Sequence, residues 1–228
     1  MSTDVNGTQA VNWAVSWDVQ IISMSWTIKE KPENAQGAEN LRAAIEAAGK
    51  AGVVLFCSSD DKGMYEQAVA LPASSQTTMI KKVGSCNENG NMSEFVNPDN
   101  VDYLLPGEKL DEVISDGAVT KTDKGSSAST ALASGLAALV LWCSELYGYD
   151  KSDFKNERMY ALFDKLKMES KSATAASLVN VTGLLNDARE TDNPVKSFME
   201  RVREKMVDEL REYEKIKASL KNQRQASS

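Results

Sequence analysis

The 228-residue chain contains no histidine. That removes the commonest general base, the commonest zinc ligand and the side chain that titrates nearest neutral pH. Cysteine is scarce. Cys57, Cys86 and Cys143 are odd in number and widely spaced, which excludes a disulfide framework and points to a reducing compartment. Asp60 and Asp61 are adjacent carboxylates that point different ways, so they read as a turn and not as a cation site; no metal and no cofactor is expected. Positive charge is in deficit: 26 Lys and Arg stand against 33 Asp and Glu, a net charge of -7. Such a balance argues against nucleic acid or an anionic membrane as the main partner. Long apolar runs are missing as well. The longest, Ala131 to Cys143, includes serine and glycine and falls short of a bilayer span. The first residues offer neither a basic stretch nor an apolar one, so no secretory signal is read and a cytoplasmic location is expected.

What is present suits a globular protein with a real core: 42% hydrophobic and 26% charged residues. Thr8 to Trp17 reads as a helix, and Val19 to Ile28 as a β-branched, aromatic-rich strand buried on both faces. Lys29 to Asn34 is a loop. Ala38 to Lys50 places Leu41, Ala44, Ile45 and Ala48 at helical spacing, and Val53 to Cys57 is the short apolar run of a central parallel strand. Strand, helix, strand at this spacing is a right-handed βαβ unit. Ile80 to Gly84 and Val101 to Leu105 read as further strands, separated by a turn at Asn87 to Asn91. A loop over Val119 to Lys124 leads into a helix from Ser127 to Leu146. Asp153 to Met168 is another helix, and Ala176 to Leu185 fits neither period. From Asp187 the composition shifts. Asn193-Pro194 is a helix start, followed by an apolar stripe from Val195 to Leu220 with Lys, Arg and Glu between. The chain therefore divides into residues 1–186 and a charged amphipathic extension, 187–228.

One stretch carries the chemistry, Gly125-Ser126-Ser127-Ala128-Ser129-Thr130-Ala131. A serine at a helix N-terminus is either an ordinary cap on a buried helix or a nucleophile aimed by it. The residues alone leave both open, and Ser129 occupies the position where the G-x-S-x-G elbow of hydrolases needs its last glycine.

The segment resembles the G-T/S-S-x-A-T/S block around the nucleophile of subtilisin-like serine proteases, and other blocks agree in order. "NWAVSWDVQIISMSWTI" is similar to their helix followed by the D-V-I-x-M-S-W/L-G strand. "AENLRAAIEAAGKAGVVLFCSSDDKG" is similar to the helix and strand that end in the oxyanion-hole turn. "LPASSQTTMIKKVGSCNENG" and "VDYLLPGEKL" resemble the Y-P-A-S and V-D-x-x-A-P-G blocks. The likeness runs from Val11 to Leu146 and is nearest to the intracellular fungal type. It implies a partial three-layer α/β fold, with a mainly parallel sheet flanked by helices and a C-terminal helical extension. It further implies a serine endopeptidase acting through an acyl-enzyme on Ser127. Asp61 falls at the oxyanion-hole position, normally asparagine. Ser25, Trp26 and Thr27 fall on the strand that pairs with substrate, and Ser58, Ser59 and Asp60 beside the specificity pocket.

The departures matter. Thr27 replaces a glycine and Ser129 a small alanine. Asp61 replaces an amide donor with a carboxylate, and loss of that donor in subtilisin, the standard example, costs about 2.7–4 kcal/mol. The family's D-x-G and H-G-T blocks lie upstream of every matched block, and neither is present. The chain is therefore expected to be inactive alone, as a truncated or split protease. The other expectation is a non-catalytic remnant that binds peptide or protein as a scaffold. A polypeptide is the expected partner in both cases, and residues 194–222 offer a helical surface for self-association.

Overall fold

The computed structural model describes residues 3–61, 70–75, 77–113, 119–146, 155–168, 177–180 and 194–205. Its centre is a six-stranded sheet in the order β1-β3-β5-β6-β10-β9. The strands are β1 (Ile21–Met24), β3 (Val54–Ser58), β5 (Ile80–Cys86), β6 (Tyr103–Pro106), β9 (Lys167–Met168) and β10 (Ser177–Val179). All neighbouring pairs are parallel except β9 with β10. Two short antiparallel pairs lie outside it: β2 (Ile28–Lys29) with β4 (Ala70–Leu71), and β7 (Leu110–Val113) with β8 (Val119–Asp123).

Period-two alternation along β3 sorts the core into two layers. Val54 and Phe56 point into a cluster with α3 (Ser126–Leu146), α4 (Asn156–Lys165) and α5 (Pro194–Lys205). Leu55 and Cys57 point the other way, toward α1 (Thr3–Ser16) and α2 (Ala35–Lys50). Both faces of β3 are thus buried, as its continuous apolar run requires. The Tyr160 hydroxyl of α4 accepts from the Leu55 N–H at 2.8 Å and lies 2.9 Å from the Leu55 and Met79 carbonyls, tying helix to sheet. Phe198 and Val202 of α5 are buried in the same layer.

The α/β architecture with a mainly parallel sheet is as the sequence implies, but several elements differ. Val19 to Ile28 is two short strands, not one, and only Met24 of β1 is buried; Ser23 is exposed. The chain leaves the sheet at Ser25, where the Trp26 ring turns back over α1; a Cβ on Gly7 would sit 3.3 Å from its Cη2. Val119–Asp123, read as a loop, is strand β8. The sequence V-T-K-T-D has no apolar period by which a strand could be read, yet it pairs antiparallel with β7. The helix expected over Asp153 to Met168 is described from Asn156 to Lys165 and gives way to β9. Ser177–Val179 resolves the unassigned stretch as a strand. Asp153, Phe154, residues 181–185 and the apolar stripe beyond Lys205 lie outside the described residues. Among the described residues, α3 alone reaches by length and composition what a bilayer span needs, since a helix tolerates serine, threonine and glycine between its leucines. One of its faces, from Ser126 to Ser144, is buried against the sheet.

Candidate active site

Register brings the carboxyl ends of four strands to one line. Met24 lies beside Cys57, Ser58 beside Val83, and Ser85 beside Leu105. The segments that leave these ends are Ser25–Thr27, Ser59–Asp61 and Gly107, and the N-terminus of α3 is set among them. Ligands in parallel α/β sheets bind at this end of the strands.

The first turn of α3 is held from three sides. The Ser126 N–H donates to Asp61 Oδ2 at 2.9 Å. The Ser126 hydroxyl oxygen accepts from the Ser85 N–H at 3.1 Å. Ser129 Oγ donates toward the Leu105 and Pro106 carbonyls at 3.0 and 3.1 Å. The Ser85 and Ser93 hydroxyls hydrogen-bond each other at 2.8 Å, and Thr130 Oγ1 donates back to the Ser126 carbonyl at 2.7 Å. Ser85, Ser93, Ser126, Ser129 and Thr130 are all buried, so these bonds replace water that cannot enter. Two glycines make the clamp possible. Gly125 turns into the helix with φ +140, a conformation that favours glycine. Gly107 lies where any Cβ would run into the hydroxyls of Ser129 and Ser85.

The clamp separates the paired serines. Ser126 is fully buried and engaged at both N–H and hydroxyl, whereas Ser127, one residue on, is exposed. No described residue hydrogen-bonds the Ser127 Oγ or accepts from its N–H. Ser25 Oγ donates to the Ser127 carbonyl at 3.3 Å, which brings the Ser25–Thr27 segment against the serine. Thr27 is exposed and Trp26 half-buried. Ser58 and Ser59 are buried, the latter with its N–H on the Val83 carbonyl and its Oγ without a partner among the described residues. Asp60 is half-buried and its carbonyl accepts from the Asn97 N–H.

Asp61 as a residue is exposed, yet Oδ2 is tucked against Gly125, 3.2 Å from where a Cβ there would sit. Burial of that oxygen pushes the carboxyl above the usual aspartate range, hydrogen bonds from Ser126 pull it back, and Asp60 pushes it up again. When ionised, it is an anion on the positive end of a helix. Burial also pushes the Cys57 thiol up to about 12 and Cys86 to about 11, away from the thiolate form at neutral pH. Among the described residues no cluster of His, Cys, Asp or Glu is arranged to hold a metal.

The sequence thus points to residues that do meet: Ser127, Asp61 and Ser25 touch or adjoin one helix turn, with Ser58 to Asp60 on the neighbouring strand end. It missed the roles of Ser85, Ser93 and Gly107. Their only signal is small residues just where β5 and β6 end, which any tight packing would also explain. Ser129, which stands where the resemblance has a small alanine, is a buried strut on the Leu105 and Pro106 carbonyls.

A family model described as the Subtilase family matches residues 1–157. The Subtilisin-like protease het-Q2 of Podospora anserina is 30% identical over 138 residues, which are 58% of this chain and 37% of that protein. Among solved structures, the Prenylagaramide maturation protease PagA superposes with a TM-score of 0.62 at 19% identity, covering 80% of this chain and 66% of that one. A cold adapted subtilisin-like serine proteinase gives 0.59 at 22% identity, covering 78% and 62%. The chain therefore spans 37% of the length of its curated relative and under two thirds of the second solved chain.

Proposed function

The chain belongs to the Subtilase family, and from that premise we propose that it carries the nucleophile-bearing part of a serine endopeptidase, with Ser127 as the attacking residue. The observation that carries this reading is the one-residue offset at the head of α3: Ser126 is buried and fully bonded, while Ser127 is exposed beside Ser25. In the reaction, Ser127 Oγ attacks the carbonyl carbon of a peptide aligned along Ser25, Trp26 and Thr27, with Ser58, Ser59 and Asp60 flanking the side chain before the scissile bond. The Ser127 N–H, which no described residue engages, is placed to receive the developing oxyanion. Asp61 adjoins that place, and its carboxyl donates there only when protonated.

Attack requires a base, and the 228 residues contain no histidine. In this reading the hydroxyl proton of Ser127 goes to a group from outside these residues, and the chain alone is expected to be inactive. Without a triad partner, at most a residual rate of order 10³–10⁴ over water is left to the other elements of such a site. A second reading, a non-catalytic remnant that binds polypeptide, is favoured by one observation: Asp61 sets a carboxylate against the same helix end on which an oxyanion would form.

Labelling with a fluorophosphonate probe tests the chemistry. The chain alone is expected to label no more than a Ser127→Ala control. Ser127-dependent labelling of the chain alone would overturn its inactivity, and no labelling in the presence of any added base-bearing partner would favour the remnant.

A further inference from the structure

β3 is apolar from Val54 to Cys57 and turns polar where it reaches the candidate site, at Ser58, Ser59 and Asp60. Two polar groups there are unmet. Ser59 is 2% exposed, and its Oγ has no hydrogen-bond partner among the described residues. Asp60, the next residue, is half-buried, and its carboxylate takes neither a hydrogen bond nor an ion pair from any described residue. Only its carbonyl is engaged, by the Asn97 N–H. Asp61 differs, since its Oδ2 is spent on the Ser126 N–H. A buried hydroxyl without a partner and a half-buried charge without a counter-ion both oppose folding. Two such breaches side by side mark positions kept for something other than stability.

Their place in the fold gives them access to a ligand. Leu55 and Cys57 share one cluster with Met24, Leu71 and Ala73, so Ser59, two residues further along, stands on that same face at its rim. Met24 is the register partner of Cys57. The segment that leaves β1 toward Ser127, Ser25–Thr27, therefore runs beside Ser58 and Ser59, while the Trp26 ring turns back over α1. Ser59 faces the gap between these two segments, and Asp60 closes its end.

The chemistry of the unmet atoms selects what fills the gap. An ionised carboxylate only accepts hydrogen bonds, and a serine hydroxyl accepts as well as donates. One group meets both at once if it carries a positive charge and several N–H donors: the ammonium of lysine or the guanidinium of arginine, each on an apolar stem. An apolar side chain would leave both atoms unmet. An acidic one would face like charge from Asp60 and Asp61.

We propose that Ser59 Oγ and the Asp60 carboxylate form the receptor for a basic side chain, so that the polypeptide this site takes carries lysine or arginine at the residue before the scissile bond. The position of that residue relative to Ser127 rests on the endopeptidase reading above; recognition of the basic group by Ser59 and Asp60 does not.

The test uses the full 228-residue chain and four labelled peptides of one sequence that differ at a single residue: arginine, lysine, citrulline (the uncharged isostere of arginine) or leucine. A photo-crosslinking residue follows the varied one, and binding is read by fluorescence anisotropy. The arginine and lysine peptides are expected to bind at least about tenfold more tightly than the other two, with the gap narrowing at high salt. Asp60→Asn is expected to remove the gap and Ser59→Ala to narrow it. Both groups are unmet in the free chain, so neither substitution should lower the melting temperature. Equal binding of all four peptides, binding of none, or a gap that survives Asp60→Asn overturns the proposal. A Ser59→Ala chain that melts several degrees below the parent overturns the part played by Ser59, since the hydroxyl would then have a partner in the fold. The place of cross-linking separates the two readings. Asp60-dependent preference with cross-links away from Ser25–Thr27 and the first turn of α3 keeps the basic receptor and removes the endopeptidase alignment. Cross-links to those segments without any Asp60-dependent preference do the reverse.

Discussion

Asp61 Oδ2 accepts a 2.9 Å hydrogen bond from the Ser126 N–H, so a carboxylate from the end of β3 caps the helix that carries Ser127. Asn is as good a cap as Asp, and its oxygen can keep this bond while its NH₂ becomes a donor. The Asp61 carboxyl is pushed up in the fold, chiefly by burial. A carboxyl with a raised pKa favours the folded chain below the ordinary aspartate range, and that contribution is lost as pH rises through the folded pKa. Asp61→Asn is therefore expected to melt slightly above the parent at pH 7, the gap closing toward pH 3.5. Solvent access keeps the gap small. Thermal unfolding across that range checks it, and a variant less stable at pH 7 would contradict it. If the serine chemistry is active once a base is supplied from outside these residues, the same change should raise the rate by about 10²–10³, the worth of one oxyanion donor.

Gly107→Ala should destabilise by roughly 1–3 kcal/mol, the usual penalty for overpacking. The added Cβ meets the Ser129 and Ser85 hydroxyls and the Gly125 carbonyl. Ser129→Ala removes one obstacle, so Gly107→Ala should cost less in that background than in the parent. A double-mutant cycle by chemical denaturation reads this coupling; additive losses would show that the two positions do not press on each other.

Tyr160→Phe removes a hydroxyl that accepts from the Leu55 N–H in the middle of the sheet. That N–H is left buried, at a cost of about 1–3 kcal/mol. Denaturant midpoints measure the loss. Loss below about 0.5 kcal/mol would mean that water replaces the phenol.

Cys57, Cys86 and Cys143 are free and buried, with Cys57 pushed up to about 12. Iodoacetamide at pH 8 is expected to leave all three unmodified in the native chain and to modify all three in denaturant, as counted by mass spectrometry. Fast native modification of Cys57 would show that β3 opens.

Much of this site is legible in the sequence, and the part that is not has a physical cause. "VVLFC" announces a strand buried on both faces because no polar residue interrupts it, and the structure gives Val54–Ser58 in that place. The order of small-residue blocks brings Ser25, Asp61 and Ser127 together because each block ends a strand or begins a helix. Ile21, Ile22 and Met24 predict a strand buried on both faces, but apolarity cannot say whether a neighbour exists to do the burying, and only Met24 is buried. β8 is not legible because V-T-K-T-D has no hydrophobic period and strand pairing leaves none of its own. The role of Ser129 is not legible because its partners, the carbonyls of Leu105 and Pro106, come from a stretch more than twenty positions earlier and have no side-chain signature.

The clamp on the first turn of α3 is assembled from Asp61, Ser85, Ser126, Ser129 and Gly107, none of which is the exposed serine. Mutations that loosen it would threaten folding before they touched any reaction. Selection for a foldable chain is then enough to keep Ser127 in the same pose for as long as the domain persists, with or without a substrate. The pose of Ser127 is thus a property of the scaffold, set by groups that take no part in the attack proposed for it.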